Sequence, residues 1–270
     1  NAGTIGDISA NFVANSSDKD GGAIYNNLNK TIGNITGDFI GNSAMGSGGA
    51  IYGKSGAVFG TISGNFINNS AQKSGGAMYI LGNLKLASGD KTLFMSGNYT
   101  NYSTYGKIYN AILGNFTSEF TVDTSGGGAW VINDNLRNGI YKFTGDDNVD
   151  ANTGLTSQYV AVNNDIINVT NVTVDGTTLR FDSYQHEDQN AKNWDSKGSF
   201  AASLNSNGTV NRDADAVTSL TLNNAAFFLA NGYQDIVKLN GYSSTNSFLH
   251  VDVNPDNMTA DELHIVGDVQ

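Results

Sequence analysis

"ISGNFINNSAQKSGGAMYI", running from Ile62 to Ile80, occurs almost unchanged at two earlier places, as "ITGDFIGNSAMGSGGAIYG" from Ile35 and "ISANFVANSSDKDGGAIYN" from Ile8. The copies align without a gap and begin 27 residues apart. A unit that recurs at a fixed period with no insertion is one that stacks on itself. Its constant columns are Ile8, Ile35 and Ile62; Phe12, Phe39 and Phe66; Asn15, Asn42 and Asn69; and the Gly-Gly-Ala triplets that contain Gly22, Gly49 and Gly76. Each copy holds three short apolar stretches, in the first around Ile5 to Ile8, Phe12 to Val13 and Ala23 to Tyr25, with Asn, Ser, Asp and Gly between them. Such stretches with such breakers are strands and turns. Three strands per period describe one coil of a parallel β-helix, in which each strand pairs with its equivalent about 4.8 Å further along the axis. Helical repeats of similar length need apolar residues at helical spacing among good helix formers, and the spacers here are poor ones.

Stacking gives each column a task. The Phe and Ile columns fill the interior, and the Asn column forms a ladder or caps the backbone at a corner while tolerating left-handed conformations. The Gly-Gly pair supplies positive φ at another corner, and Ala23, Ala50 and Ala77 are small where the coil narrows. Asn26, just past the triplet, reads as an exposed turn residue.

The remaining composition is consistent with many short strands and turns. Of 270 residues, 39% are hydrophobic and 14% charged, with 33 Gly, one Pro and 37 Asn; ordinary soluble domains are about 25% charged. The recurring Val, Ile, Leu, Phe and Tyr separate the chain from disordered sequences. A net charge of −11 with scattered basic residues argues against nucleic acid and anionic membrane surfaces as partners. Cysteine is absent, which removes disulfides and thiolate metal sites. The chain opens partway into a repeat at Asn1 and stops at Gln270 in what reads as a strand, so it is expected to be a piece of a longer protein.

"GGAIY", "GGAIY" and "GGAMY", alternating with "FVAN", "FIGN" and "FINN", resemble the repeats of the polymorphic outer membrane proteins, which are autotransporters. The resemblance covers residues 5 to about 86. A looser similarity to late autotransporter coils lies in Asp261-Glu262-Leu263-His264-Ile265-Val266-Gly267. The resemblance implies a right-handed β-helix, export to the surface of a Gram-negative bacterium, and a membrane barrel following Gln270 as the protein's membrane attachment. The lack of cysteine fits a passenger that crosses the outer membrane unfolded.

The organisation expected is one continuous all-β solenoid, regular over 1–90 and degenerate over 91–270. "TSGGGAWVIND" at 124–134 carries the triplet again, with Trp130 expected to be buried. "INVTNVTVDGTTLRF" at 167–181 alternates like a half-buried strand pair turning at Asp175-Gly176. "DSYQHEDQNAKNWDSKGSF" at 182–200 is polar, aperiodic and too long for a corner. It is expected to project as a loop, with Tyr184, His186 and Trp194 as candidate binding residues.

Catalytic and metal chemistry find little support. Asp146, Asn148, Asp150 and Asn152 have alternating oxygen ligands like a calcium loop, but Ser157 stands where the bidentate Glu belongs. Asn211, Asp213 and Asp215 are a weaker version. Polysaccharide lyases and glycoside hydrolases on β-helices need carboxylates converging from neighbouring coils. The positions one period apart are Asp7, Asn34 and Thr61, or Asn11, Asp38 and Asn65, and neither forms a carboxylate column. No catalytic residue and no cofactor are assigned. The function expected is that of a monomeric scaffold displaying loops for adhesion to a host-cell or bacterial surface protein or glycan, with an enzyme on the same fold as the alternative.

Overall fold

The structure is a computed structural model that describes residues 3–103, 106–211, 214, 216–229, 232 and 234–270; Asp213 and Asp215 fall outside these. It is a parallel β-helix, with no helix among the described residues. Five short strands make a regular coil, in the second copy Thr31–Ile32, Ile35–Thr36, Phe39–Ile40, Ser43–Ala44 and Ile51–Gly53. The sequence indicates three because Ser43–Ala44 has no apolar run, and because a corner at Gly33-Asn34 divides one apolar stretch into two strands.

Two sheets run the length of the solenoid. In sheet one, nine parallel strands extend from Ile8–Ser9 to Gly241–Thr245. Its register threads a single column through Ile8, Ile35, Ile62, Leu86, Val122, Phe143, Val174, Leu222 and Ser244. In sheet two, nine strands extend from Phe12–Val13 to Phe248–His250, and its column runs Phe12, Phe39, Phe66, Met95, Ile132, Val162, Phe181. Phe39 and Phe66 are fully buried and Phe12, in the first coil, is half-buried. Their ring centroids are 4.7 Å apart at 7° and 3° between planes, a separation equal to the strand spacing. Ring stacking and backbone pairing are therefore satisfied by one translation.

The paired glycines do different work. Gly21, Gly48 and Gly75 take positive φ, 69°, 69° and 64°. Gly22, Gly49 and Gly76 are constrained by space instead: a Cβ on Gly49 would lie 2.0 Å from the Gly76 carbonyl oxygen and 2.5 Å from that of Ser70. Left-handed backbone at the Asn corner falls one residue before the ladder, on Ala14, Gly41, Asn68 and Gly97, and the ladder Asn residues themselves are not left-handed.

Past Ala87 the coils lengthen and an excursion interrupts them. Tyr99–Tyr102 pairs antiparallel with the first half of Gly106–Gly114, whose second half rejoins the solenoid in parallel with Met78–Ile80. Trp130 is fully buried. The triplet before it serves another corner, however: Gly128 leads into sheet two at Ala129–Ile132, whereas Gly76 leads into Met78–Ile80. Asn171–Asp175 and Thr178–Phe181 do not pair with each other. They lie in sheets one and two, joined by a corner at Gly176 with φ 61°.

Two substitutions test this account of packing. Phe39→Ala should cost roughly 3–5 kcal/mol as a large-to-small change inside a stacked column, read by denaturant unfolding. Gly49→Ala should destabilise more than Gly41→Ala, because Gly41 has open space around its Cβ position and only the strain of φ 62°, about 1–2 kcal/mol. Equal losses for the two glycine variants would refute the steric reading.

Candidate functional site

Where the coil turns a corner, strand pairing lapses and backbone N–H groups need other acceptors. The regular repeats supply them with side chains one coil away. Asp7 accepts from the backbone N–H of Asn34 at 2.8 Å, and Asn34 in turn accepts from that of Thr61 at 2.8 Å. Asn11 accepts from Asp38, Asp38 from Asn65 and Asn65 from Phe94 in the same way. At the third corner the side chains also bond one another. Asn15 Nδ2 donates to Asn42 Oδ1 at 2.8 Å, Asn42 to Asn69 at 2.9 Å, and Asn69 to Asn98 at 2.8 Å. Asn42, Asn69 and Asn98 use their second amide proton on the carbonyls of Phe12, Phe39 and Phe66.

This chain of donors ends on Asp134, whose two carboxyl oxygens accept. Asn98 Nδ2 donates to its Oδ2 at 2.7 Å, while the N–H groups of Asn98 and Gly97 donate to its two oxygens at 3.0 Å. Asp134 is fully buried, and burial pushes its carboxyl up to about 8 against the pull of those donors. Asn26, read from the sequence as exposed, is also fully buried, and its Nδ2 donates to the carbonyls of Lys30 and Val58.

The segment 182–200 does not project. Ser183–Gln185 and Asp195–Lys197 form an antiparallel hairpin whose connection folds against the Tyr99–Gly114 excursion. Asn193 grips Tyr109 from both sides, accepting from its N–H at 2.8 Å and donating to its carbonyl at 2.9 Å. His186 is 5% exposed and stacks on Tyr109. Its Nε2 lies 2.9 Å from the Asn133 carbonyl and 3.6 Å from Asp134 Oδ1. A carbonyl only accepts, so Nε2 carries the proton; burial holds the imidazole down to about 4. Assigning His186 to an exposed binding surface is thus corrected. It closes the polar end of the ladder, and only tertiary structure brings it to Asn133. Tyr184 is half-buried, edge-on to His186, and Trp194 is half-buried with its carbonyl accepting from the His186 N–H. Lys107 lies over Tyr99 and Tyr109 and pairs with Asp188 at 3.2 Å.

The acidic loop uses its oxygens on itself. Asp150 accepts from the N–H groups of Asn152 and Thr153, and Asp147 from the N–H and hydroxyl of Ser157. Asp146 accepts from the Gln158 amide and the Gly126 N–H. Asn148 is exposed. Among the described residues no group of three or more His, Cys, Asp or Glu side chains is placed to hold a metal. The loop instead lies over the outer face of sheet two, where the Gly154 carbonyl meets His250 Nε2 at 2.8 Å.

Residues 9–27 and 37–54 match the Chlamydia polymorphic membrane protein repeat. These two stretches are therefore repeats of that type, a family that implies a surface-exposed, autotransporter-type protein at the outer membrane or surface of a Gram-negative bacterium. No curated protein and no solved structure matches the chain.

Asn42→Leu should cost about 1–3 kcal/mol by stranding the groups it pairs, and Asp134→Asn should be destabilising because the NH2 that replaces either oxygen would face at least one of the N–H donors now bonded there. The His186 pKa is depressed from 6.5, so its neutral form favours folding, and that stability is lost as pH falls from 6.5 through about 4. Asp134 acts in the opposite sense, since its raised pKa favours folding below the usual carboxylate range and loses that contribution as pH rises toward 8. Melting curves across pH 4–7 should show the advantage of the native chain over His186→Gln shrinking on acidification; a constant gap would exclude the His186 account.

Proposed function

We propose that this chain is a display scaffold for adhesion: a surface passenger whose coils hold loops and outer sheet faces against a host-cell or bacterial protein or glycan, with no covalent step. The observation that carries this reading is how the repeat carboxylates are engaged. Asp7 and Asp38 cap backbone N–H groups of the next coil, whereas glycoside hydrolysis needs two carboxyl groups facing one bond, about 5–10 Å apart. A surface-exposed, autotransporter-type repeat family supports the same reading. The mechanism is mechanical and chemical at once. In-register stacking makes a stiff support, and side chains on its outer faces contribute contacts without having to order the backbone that bears them.

The test is adherence. Beads carrying the folded chain should bind epithelial cells or bacteria above albumin-coated beads, and trypsin or periodate treatment of the cells should separate protein from glycan receptors. Absence of adherence to either cell type, or release of oligosaccharides from polysaccharide incubated with the chain, would reject the proposal.

A further inference from the structure

The outer face of sheet two carries an arrangement that neither packing nor the repeat requires. Its outward residues sit in register: Tyr159 beside Thr178 and then Ala226, and Ala161 beside Arg180 and then Phe228. Thr178 and Ala226 are small and buried between larger neighbours, which leaves a depression. The acidic loop closes one side of it with Leu155 and Thr156, giving a cleft of about 110 Å³ lined also by Tyr159, Thr178, Arg180 and Phe228. The His250–Gly154 bond fixes that wall across 96 residues of chain, so the cleft is preformed.

Arg180 is held there by aromatic faces. Its guanidinium carbon lies 5.2 Å from the ring centres of both Tyr159 and Phe228, and its Nε is buried with no hydrogen-bond partner. The terminal nitrogen Nη2 stands 3.6 Å from a carboxylate oxygen of Asp182, with the two side chains 37% and 35% exposed. Thr156 and Thr178 bond each other across the floor, so the cleft joins flat apolar surface, a fork of donors and a neighbouring acceptor.

We infer that this cleft binds one uncharged pyranose ring of a glycan, its C–H face against Tyr159 or Phe228 and a pair of adjacent hydroxyls between Arg180 and Asp182. Aromatic faces suit the amphipathic ring. Each sugar hydroxyl donates and accepts, which a donor and an acceptor side by side satisfy together. Charge decides against an acidic sugar: Asp182 already offsets Arg180, and the chain as a whole carries −11. At about 110 Å³ the open cleft seats one edge or face of a single sugar ring, with the rest of the ring in solvent, and is too short for the continuous surface of a helix or strand of a protein partner. This inference rests on the display reading and names the chemistry of one contact within it.

The test uses the intact chain, isotope-labelled, with methyl glucoside, methyl galactoside, N-acetylglucosamine and N-acetylneuraminic acid as probes. At least one neutral sugar should shift amide signals of residues 155–159, 178–182 and 226–228, with a dissociation constant of the order of 1 mM for a single ring. Arg180→Ala and Phe228→Leu should each weaken that binding about tenfold or more, the loss expected for removing an anchor. Measurement well below the melting temperature of each variant keeps stability and binding apart: Arg180→Ala that melts lower yet binds equally would make Arg180 a structural residue and overturn the inference. Shifts with N-acetylneuraminic acid alone would overturn the uncharged assignment, and no shifts with any probe would overturn the site. Bead adherence competed by the binding sugar supports both readings. Adherence indifferent to the sugars, with no shifts, removes the cleft and leaves display standing; sugar binding without adherence removes display and leaves the cleft.

Discussion

A backbone wound into coils meets one recurring difficulty, which is the N–H group left without an acceptor at each corner. Strand pairing satisfies the flat parts of every coil, but a turn takes the backbone out of register, and a buried unpaired N–H costs about 1–3 kcal/mol. Here the equivalent side chain of an adjacent coil supplies the acceptor, at Asp7 and Asn34, at Asn11, Asp38 and Asn65, and along the Asn15 ladder. The solution works only if coils are superposable. Period, Asn content and core register are therefore consequences of one requirement.

A ladder of amides has a direction, because each Asn gives one amide proton to the next side chain and receives one from the Asn before it. Such a chain must end on an acceptor, and Asp134 supplies one, its two carboxyl oxygens facing Asn98 and Gly97. The irregular half of the molecule begins near this point. Asp134 sits beside the excursion and the hairpin that cover it, with His186 approaching the same oxygen cage from outside. The hairpin's polarity is consumed there, so a sequence that looks solvated is part of the packing.

What faces outward is correspondingly spare. The interior columns leave the outer positions of sheet two free to carry large side chains against small ones, and Tyr159, Arg180 and Phe228 stand there on strands that the core already fixes. A site built on paired strands needs little further ordering when it meets a ligand. That is the physical sense in which a scaffold and an adhesive surface can belong to one fold.

The sequence by itself determined the coil, because a gapless repeat of 27 residues with Ile and Phe columns admits only a stacked solution. It also pointed to the Asn corner and the burial of Trp130, since both follow from local pattern. It could not reveal Asp134 as the end of the ladder, because the donor it answers, Asn98, lies 36 residues away, outside the period. His186 and Asn26 were misjudged for the same reason: each is polar and flanked by polar residues, and each is buried by acceptors that sequence distance hides, the Asn133 carbonyl 53 residues off and the Val58 carbonyl 32 residues off. Arg180 gave no signal at all, being one basic residue on an alternating strand. Periodicity reports the contacts that repeat, and what makes each of these residues distinctive is a contact that occurs once.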